Sequence, residues 1–229
     1  MEESRDLEWF PELRKVYLRS AVIRLILPII LIVSYFLGSY LILPSERALI
    51  LGGLMIAYYI PPTGKESIIP IGIILGIPWW LMAITVVVQD VITCLFMILN
   101  LDIAFHIPYL GPWIYRFLAK GKEYIAKWPW LSRWKMWGLA FFVLLPFQGT
   151  GGTGAPLVGW MMGLTPGRIL FAVGLGASLE ALFFALGSEL VWVLIFSNFT
   201  LALVVLALLL LVVLLAYYLF QFRSRRERL

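Results

Sequence analysis

Cysteine and histidine each occur once in these 229 residues, at Cys94 and His106. A lone cysteine excludes an internal disulfide and a cysteine metal cluster. A lone histidine leaves no second imidazole for a zinc site or a relay. No nucleophile stands with a base, so neither enzymatic activity, a metal nor an organic cofactor is expected. Charge is scarce as well. Asp, Glu, Lys and Arg make up 14% of the chain, against about a quarter in soluble domains. Hydrophobic residues supply 62% and the mean hydropathy is +0.95, which marks an integral membrane protein. The formal net charge of +5 does not point to nucleic acid. The basic residues sit at the ends of apolar runs, where they suit anionic headgroups and orientation control.

Apolar runs of spanning length, about twenty residues, fall at 20–43, 79–99, 168–190 and 198–222. An arm at 1–19 carries Trp9, Phe10, Leu13, Val16 and Tyr17 at helical spacing and reads as an interfacial helix or a solvated arm. Between the runs lie two broken regions. In Phe141–Leu164, two apolar arms of roughly ten residues, too short to cross, flank Gln148-Gly149-Thr150-Gly151-Gly152-Thr153-Gly154. In 46–78, the arms Ala48–Ile60 and Ile68–Ile77 flank Pro61-Pro62-Thr63-Gly64-Lys65-Glu66-Ser67. Unpaired backbone groups survive at membrane depth only inside protein or along a wet cavity. Each region therefore reads as a re-entrant hairpin, against a kinked helix or a surface loop as the plainer alternatives.

Pro70, Gly76 and Pro78 correspond to Pro156, Gly163 and Pro166 if single-residue insertions are allowed, and Asp90 and Glu180 then fall at similar positions. Broken segments at matching places in two halves point to a transport site. Residues 46–100 and 138–190 are the two hairpin-plus-helix repeats. The linker 101–137 between them carries Arg116, Lys120, Lys122, Lys127, Arg133 and Lys135 among five tryptophans, as an amphipathic lipid-contacting segment requires. Arg168 reads as a further interface anchor. The tail 223–229 is basic. The positive-inside rule places both termini and the linker in the cytoplasm of a multi-pass plasma-membrane protein if the hairpins return to their own sides. The expected architecture is thus all-α, with about four transmembrane helices and two re-entrant helical hairpins in an inverted repeat within a single membrane domain.

Ionisable groups at membrane depth cost about 2.5–3.5 kcal/mol each on insertion scales, so they face a partner, a cavity or water. Glu66, Asp90 and Glu180 are the candidates for proton coupling, because burial disfavours a charged carboxylate. Structural carboxylates hydrogen-bonded to hairpin backbone are the alternative. Gln148 to Gly154 in one break and Thr63, Gly64 and Lys65 in the other are candidates for binding an anion, through backbone N–H groups at half-helix amino ends and the Thr150 and Thr153 hydroxyls. Plain tight packing competes for those glycines.

Pro146-Phe147-Gln148-Gly149-Thr150-Gly151 followed by Thr153-Gly154-Ala155 resembles the P-L-P-G-T-G-x-x-T-G-A signature of the putative small multidrug export proteins. Glu66-Ser67-Ile68-Ile69-Pro70-Ile71-Gly72 resembles that family's stretch ending in I-P-L-G. The resemblance covers roughly Leu51–Leu190. Gln148 stands where the family has a second proline, one residue is missing between Gly151 and Thr153, and the family's Glu-x-Arg pair is reduced to Lys65-Glu66. That family is distantly similar to the DedA, or VTT-domain, membrane proteins. The resemblance implies paired re-entrant loops and movement of phospholipids or polyprenyl phosphates, sometimes coupled to protons. It does not transfer the substrate.

Three functions are expected to compete. The first is a transporter or flippase for a lipid-like, phosphate-bearing amphiphile, with a small-molecule exporter as its variant. The second is a passive scramblase, and the third a lipid-binding scaffold. Expected partners are membrane lipids, a phospholipid or polyprenyl phosphate cargo, protons and a second copy of the chain.

Overall fold

The computed structural model describes residues 21–60, 63–105, 134–145 and 149–197, together with scattered positions in 108–120 and at 200, 204 and 207. The arm 1–19, the last span 198–222 and the tail 223–229 lie outside the described residues, apart from those three positions. All described secondary structure is helical. The chain divides into two compact units, 1–185 and 186–229, and the packing and buried charges described for it belong to the first.

Seven helices are described: α1 Ala21–Ile42, α2 Ser45–Ala57, α3 Lys65–Ile74, α4 Trp79–Phe105, α5 Lys135–Leu144, α6 Gly154–Met161 and α7 Pro166–Ser197. Among the described residues only α1, α4 and α7 are long and apolar enough to cross a membrane. At 1.5 Å per residue, the 13 residues of α2 and the 10 of α3 and of α5 reach about 15–20 Å, well short of the roughly 30 Å hydrocarbon core. The arms are therefore real helices that cannot span. Their bounds differ from the sequence reading. Lys65 and Glu66 belong to the first turn of α3 instead of the break, and α5 starts at Lys135, so the linker ends earlier than Trp137. The long helices that follow the two breaks also run past the expected ends, α4 to Phe105 and α7 to Ser197.

α4 is the hub. In its spanning window 61% of residues are buried, against 11% for α1, whose Ile29, Leu37 and Leu41 face outward as lipid-facing positions do. α4 packs on α1, α3 and α6, and α2 on α1 and α3. A column of polar side chains on α4 bonds to its neighbours. Tyr35 of α1 bonds Thr85 at 2.7 Å, Gln89 donates to the Met55 carbonyl at 2.8 Å, and Tyr59 bonds Thr93 at 3.0 Å. Toward its end, Asn100 donates to the Arg24 carbonyl at 3.1 Å and Arg24 to the Leu99 carbonyl at 3.2 Å. Without competing water, such bonds orient helices that lipid alone would not hold together.

The two halves share more than element order. α3 and α6 are each followed by a glycine with positive φ, Gly76 at 84° and Gly163 at 68°. In both, the next residue's N–H bonds back to a glycine carbonyl, Ile77 to Gly72 at 3.0 Å and Leu164 to Gly159 at 2.9 Å. This is the Schellman closure. Gly72 lies against Met82 and Gly159 against Ile169. Thr63 Oγ1 donates to the Ala57 and Ile60 carbonyls at the end of α2, and Thr150 Oγ1 to Leu145 at the end of α5. Each of these glycine and threonine pairs has the same spacing in the chain, with no insertion. In that register Asp90 stands opposite Ala177 and Glu180 opposite Thr93, so the two acids are offset by one turn instead of matching.

An alanine at Gly163 must hold a left-handed backbone, at a cost of about 1–2 kcal/mol. Gly163→Ala should lower the thermal midpoint in detergent. Gly138→Ala, whose new methyl meets nothing within 4 Å, should leave it unchanged or raise it slightly.

Candidate functional site

Three ionisable side chains meet inside the first unit. Lys65, in the first turn of α3, is 5% exposed, Asp90 on α4 is 0% and Glu180 on α7 is 1%. The Lys65 ammonium pairs with Glu180 Oε2 and lies 3.5 Å from Asp90 Oδ2. Burying three charges is costly unless they compensate one another, and here one cation faces two carboxylates.

The two acids are held differently. Asp90 Oδ1 accepts from the Tyr58 hydroxyl, at the end of α2, and from the Gly152 N–H at 2.8 Å. Glu180 has the lysine alone, and its Oε1 has no hydrogen-bond partner among the described residues. In the shared register Lys65 and Gly152 are counterparts, so equivalent positions of the two breaks converge on one carboxylate. The Gly152 N–H of the glycine loop is thus engaged by a side chain of the protein itself. Gly151 and Gly152 allow the approach. A Cβ at Gly151 would lie 2.8 Å from Asp90 Cγ, and one at Gly152 would lie 2.7 Å from Thr93 Cβ and 3.0 Å from the Cys94 nitrogen.

The other candidates are spread more widely. Thr63 and Thr150 close the ends of α2 and α5. Gly64 is the residue before α3, and the Glu66 carboxylate folds back over it. Glu66 thus sits where an acid favours the helix dipole, and its Oε2 is buried without a partner among the described residues. Gly149 has φ 94° and Thr153 precedes α6. Gly154 comes so close to the Gly149 carbonyl that no side chain fits there. Gln148 lies outside the described residues, as do Lys122, Lys127 and Arg133. Arg116 and Lys120 are exposed while Ile114 and Leu118 are buried, the two-faced pattern of an amphipathic helix. Arg168 is exposed and Lys135 half-buried.

Tyr58, Tyr59 and Gln89 were not singled out by sequence reasoning. Beside them, between α1 and α2, lies an apolar groove of about 610 Å³ lined by Phe36, Gly52, Gly53, Met55, Ile56 and Tyr59 among others. Its polar end is the Tyr59–Thr93 pair, one residue along from Tyr58 and three along from Asp90.

Residues 67–183 match the model of the family described as Putative small multi-drug export protein, which is just over half of the chain. The chain belongs to this family. The match takes in Asp90, the glycine loop and Glu180, and begins just after Lys65 and Glu66. No curated protein and no solved structure matches the chain. Three spanning-length apolar helices and membership of the small multi-drug export family agree on a membrane location and, coarsely, on transport.

Proposed function

We propose that the protein is an exporter of amphiphilic small molecules, working at the plasma membrane with the Lys65–Asp90–Glu180 cluster as its ion-coupling centre. One observation carries this reading: the first turn of α3 and the long helices α4 and α7 bring their rare ionisable groups together in a single buried site, where an N–H of the second break also reaches Asp90. A soluble-type fold would expose such groups. At membrane depth they mark transport pathways, and paired discontinuous helices are the usual frame for them. The shared register supports an internal duplication, and we read it as two re-entrant hairpins of inverted topology, with both termini and the basic linker cytoplasmic.

The groove between α1 and α2 suits the apolar part of a substrate. With two carboxylates against one ammonium, the centre carries surplus negative charge and disfavours a phosphate beside it. Gly152 N–H is already engaged by Asp90, so a phosphate in the loop would have to displace that carboxylate. A neutral or cationic head is therefore favoured over phospholipid and polyprenyl phosphate, and no enzymatic step is invoked.

Proteoliposomes holding the purified chain should move a fluorescent lipophilic cation at least tenfold faster than protein-free vesicles when a pH gradient is applied. Without the gradient the rate should fall toward background. Equal or faster movement of fluorescent phospholipid or polyprenyl phosphate analogues would overturn the charge assignment. Movement of lipid alone, indifferent to the gradient, would replace it with passive scrambling.

A further inference from the structure

We infer that Glu180 is the residue that binds and releases the coupling proton, with Lys65 as its exchangeable partner, while Asp90 remains a fixed anion that positions them. This rests on reading the cluster as a transport site.

The two acids differ in the donors they receive. Asp90 takes Tyr58 O–H and Gly152 N–H on Oδ1 and faces Lys65 on Oδ2. Three donors from three separate elements hold it in place. Glu180 is as deeply buried, faces the same lysine, and presents an oxygen that no described residue satisfies. An unmet acceptor on a buried carboxylate is costly as it stands. Protonating one oxygen turns the side chain from acceptor-only into a neutral acid.

The step balances simply. A proton from one aqueous side adds to a Glu180 carboxylate oxygen, and the charge of the three-residue cluster rises from minus one to zero. Lys65 is then left to pair with Asp90 alone. Release to the other side restores the Lys65–Glu180 pair. The groups within electrostatic reach of Glu180 are Lys65 and Glu66 on α3, Asp90 on α4 and Tyr58 at the end of α2. From α5, Ala140 and Val143 pack against Gly176, one turn before Glu180 on α7, and add no charge.

The test reads protonation directly and needs no substrate. The full chain, purified into nanodiscs of phosphatidylethanolamine and phosphatidylglycerol, is followed by infrared difference spectroscopy between alkaline and acid pH. Wild type should gain the carbonyl-stretch band of a buried protonated carboxyl as the pH falls. That band should vanish in Glu180→Gln and persist in Glu66→Gln and in Tyr58→Phe, which keeps Asp90 with two of its donors. Size-exclusion profiles confirm folding. Three outcomes overturn the inference: a band that survives Glu180→Gln, a band lost only in Glu66→Gln, or a wild-type spectrum that responds to sodium at fixed pH instead of to protons. Failure of the transport reading looks different, since it appears as inactive proteoliposomes whatever the band does.

Discussion

Lys65→Met should be the most damaging single change, lowering stability by about 3–5 kcal/mol, because it leaves two carboxylates buried with no compensating cation. The thermal midpoint of the detergent-solubilised protein measures this directly. The informative companion is Lys65→Met combined with Glu180→Leu. Replacing buried charges by apolar groups of similar volume is often neutral or better for stability. Asp90 in the double variant keeps Tyr58 and Gly152 as donors. The double variant should therefore recover most of the lost thermal stability while remaining inactive in proteoliposomes. Stability and transport would then part company at the same residues. A double variant no more stable than the single one would show that the cluster is held together chiefly as structure.

Gly152→Val should come next in effect. Its Cβ would run into Thr93 Cβ and the Cys94 nitrogen, and the latter is backbone of α4 and cannot swing away. Overpacking of this kind costs about 1–3 kcal/mol. The shift also pulls the Gly152 N–H off Asp90, so one buried acceptor loses a donor. Transport should fall at least tenfold, and the infrared band assigned to Glu180 should change position because its neighbour's field changes. Gly138→Ala, whose methyl meets nothing within 4 Å and which lies away from the groove, serves as the control and should be well tolerated.

Much of this was open to sequence reasoning, and for identifiable reasons. Glycine and proline clusters mark broken helices whatever surrounds them, so both breaks could be located. Carboxylates in apolar runs are rare enough that Asp90 and Glu180 stood out. Partnerships were another matter. Lys65 has Glu66 as its chain neighbour, which makes the two look like a local pair. Successive residues on a helix point in different directions, and Lys65 turns inward to acids on α4 and α7 while Glu66 folds over Gly64. Tyr58 and Tyr59 were overlooked because tyrosine at the end of an apolar run reads equally well as an interface anchor. The loop amides were read as donors for an anion, and nothing in a one-dimensional string says that one of them, at Gly152, reaches Asp90 on α4. The register slipped for a similar reason. Prolines were aligned with prolines, whereas the shared geometry belongs to the helix-ending glycines and the threonines that close the preceding helices.

Asp90 also constrains how the molecule can move. A single carboxylate on the central helix is bolted to α3 through Lys65, to the glycine loop before α6 through Gly152, and to the end of α2 through Tyr58. Any rocking that opens the protein toward one face or the other must swivel about this point or break it. Of the two acids in the cluster, the Glu180 carboxylate has the fewer described donors, the lysine alone, so it is the one that such a movement would free at least cost.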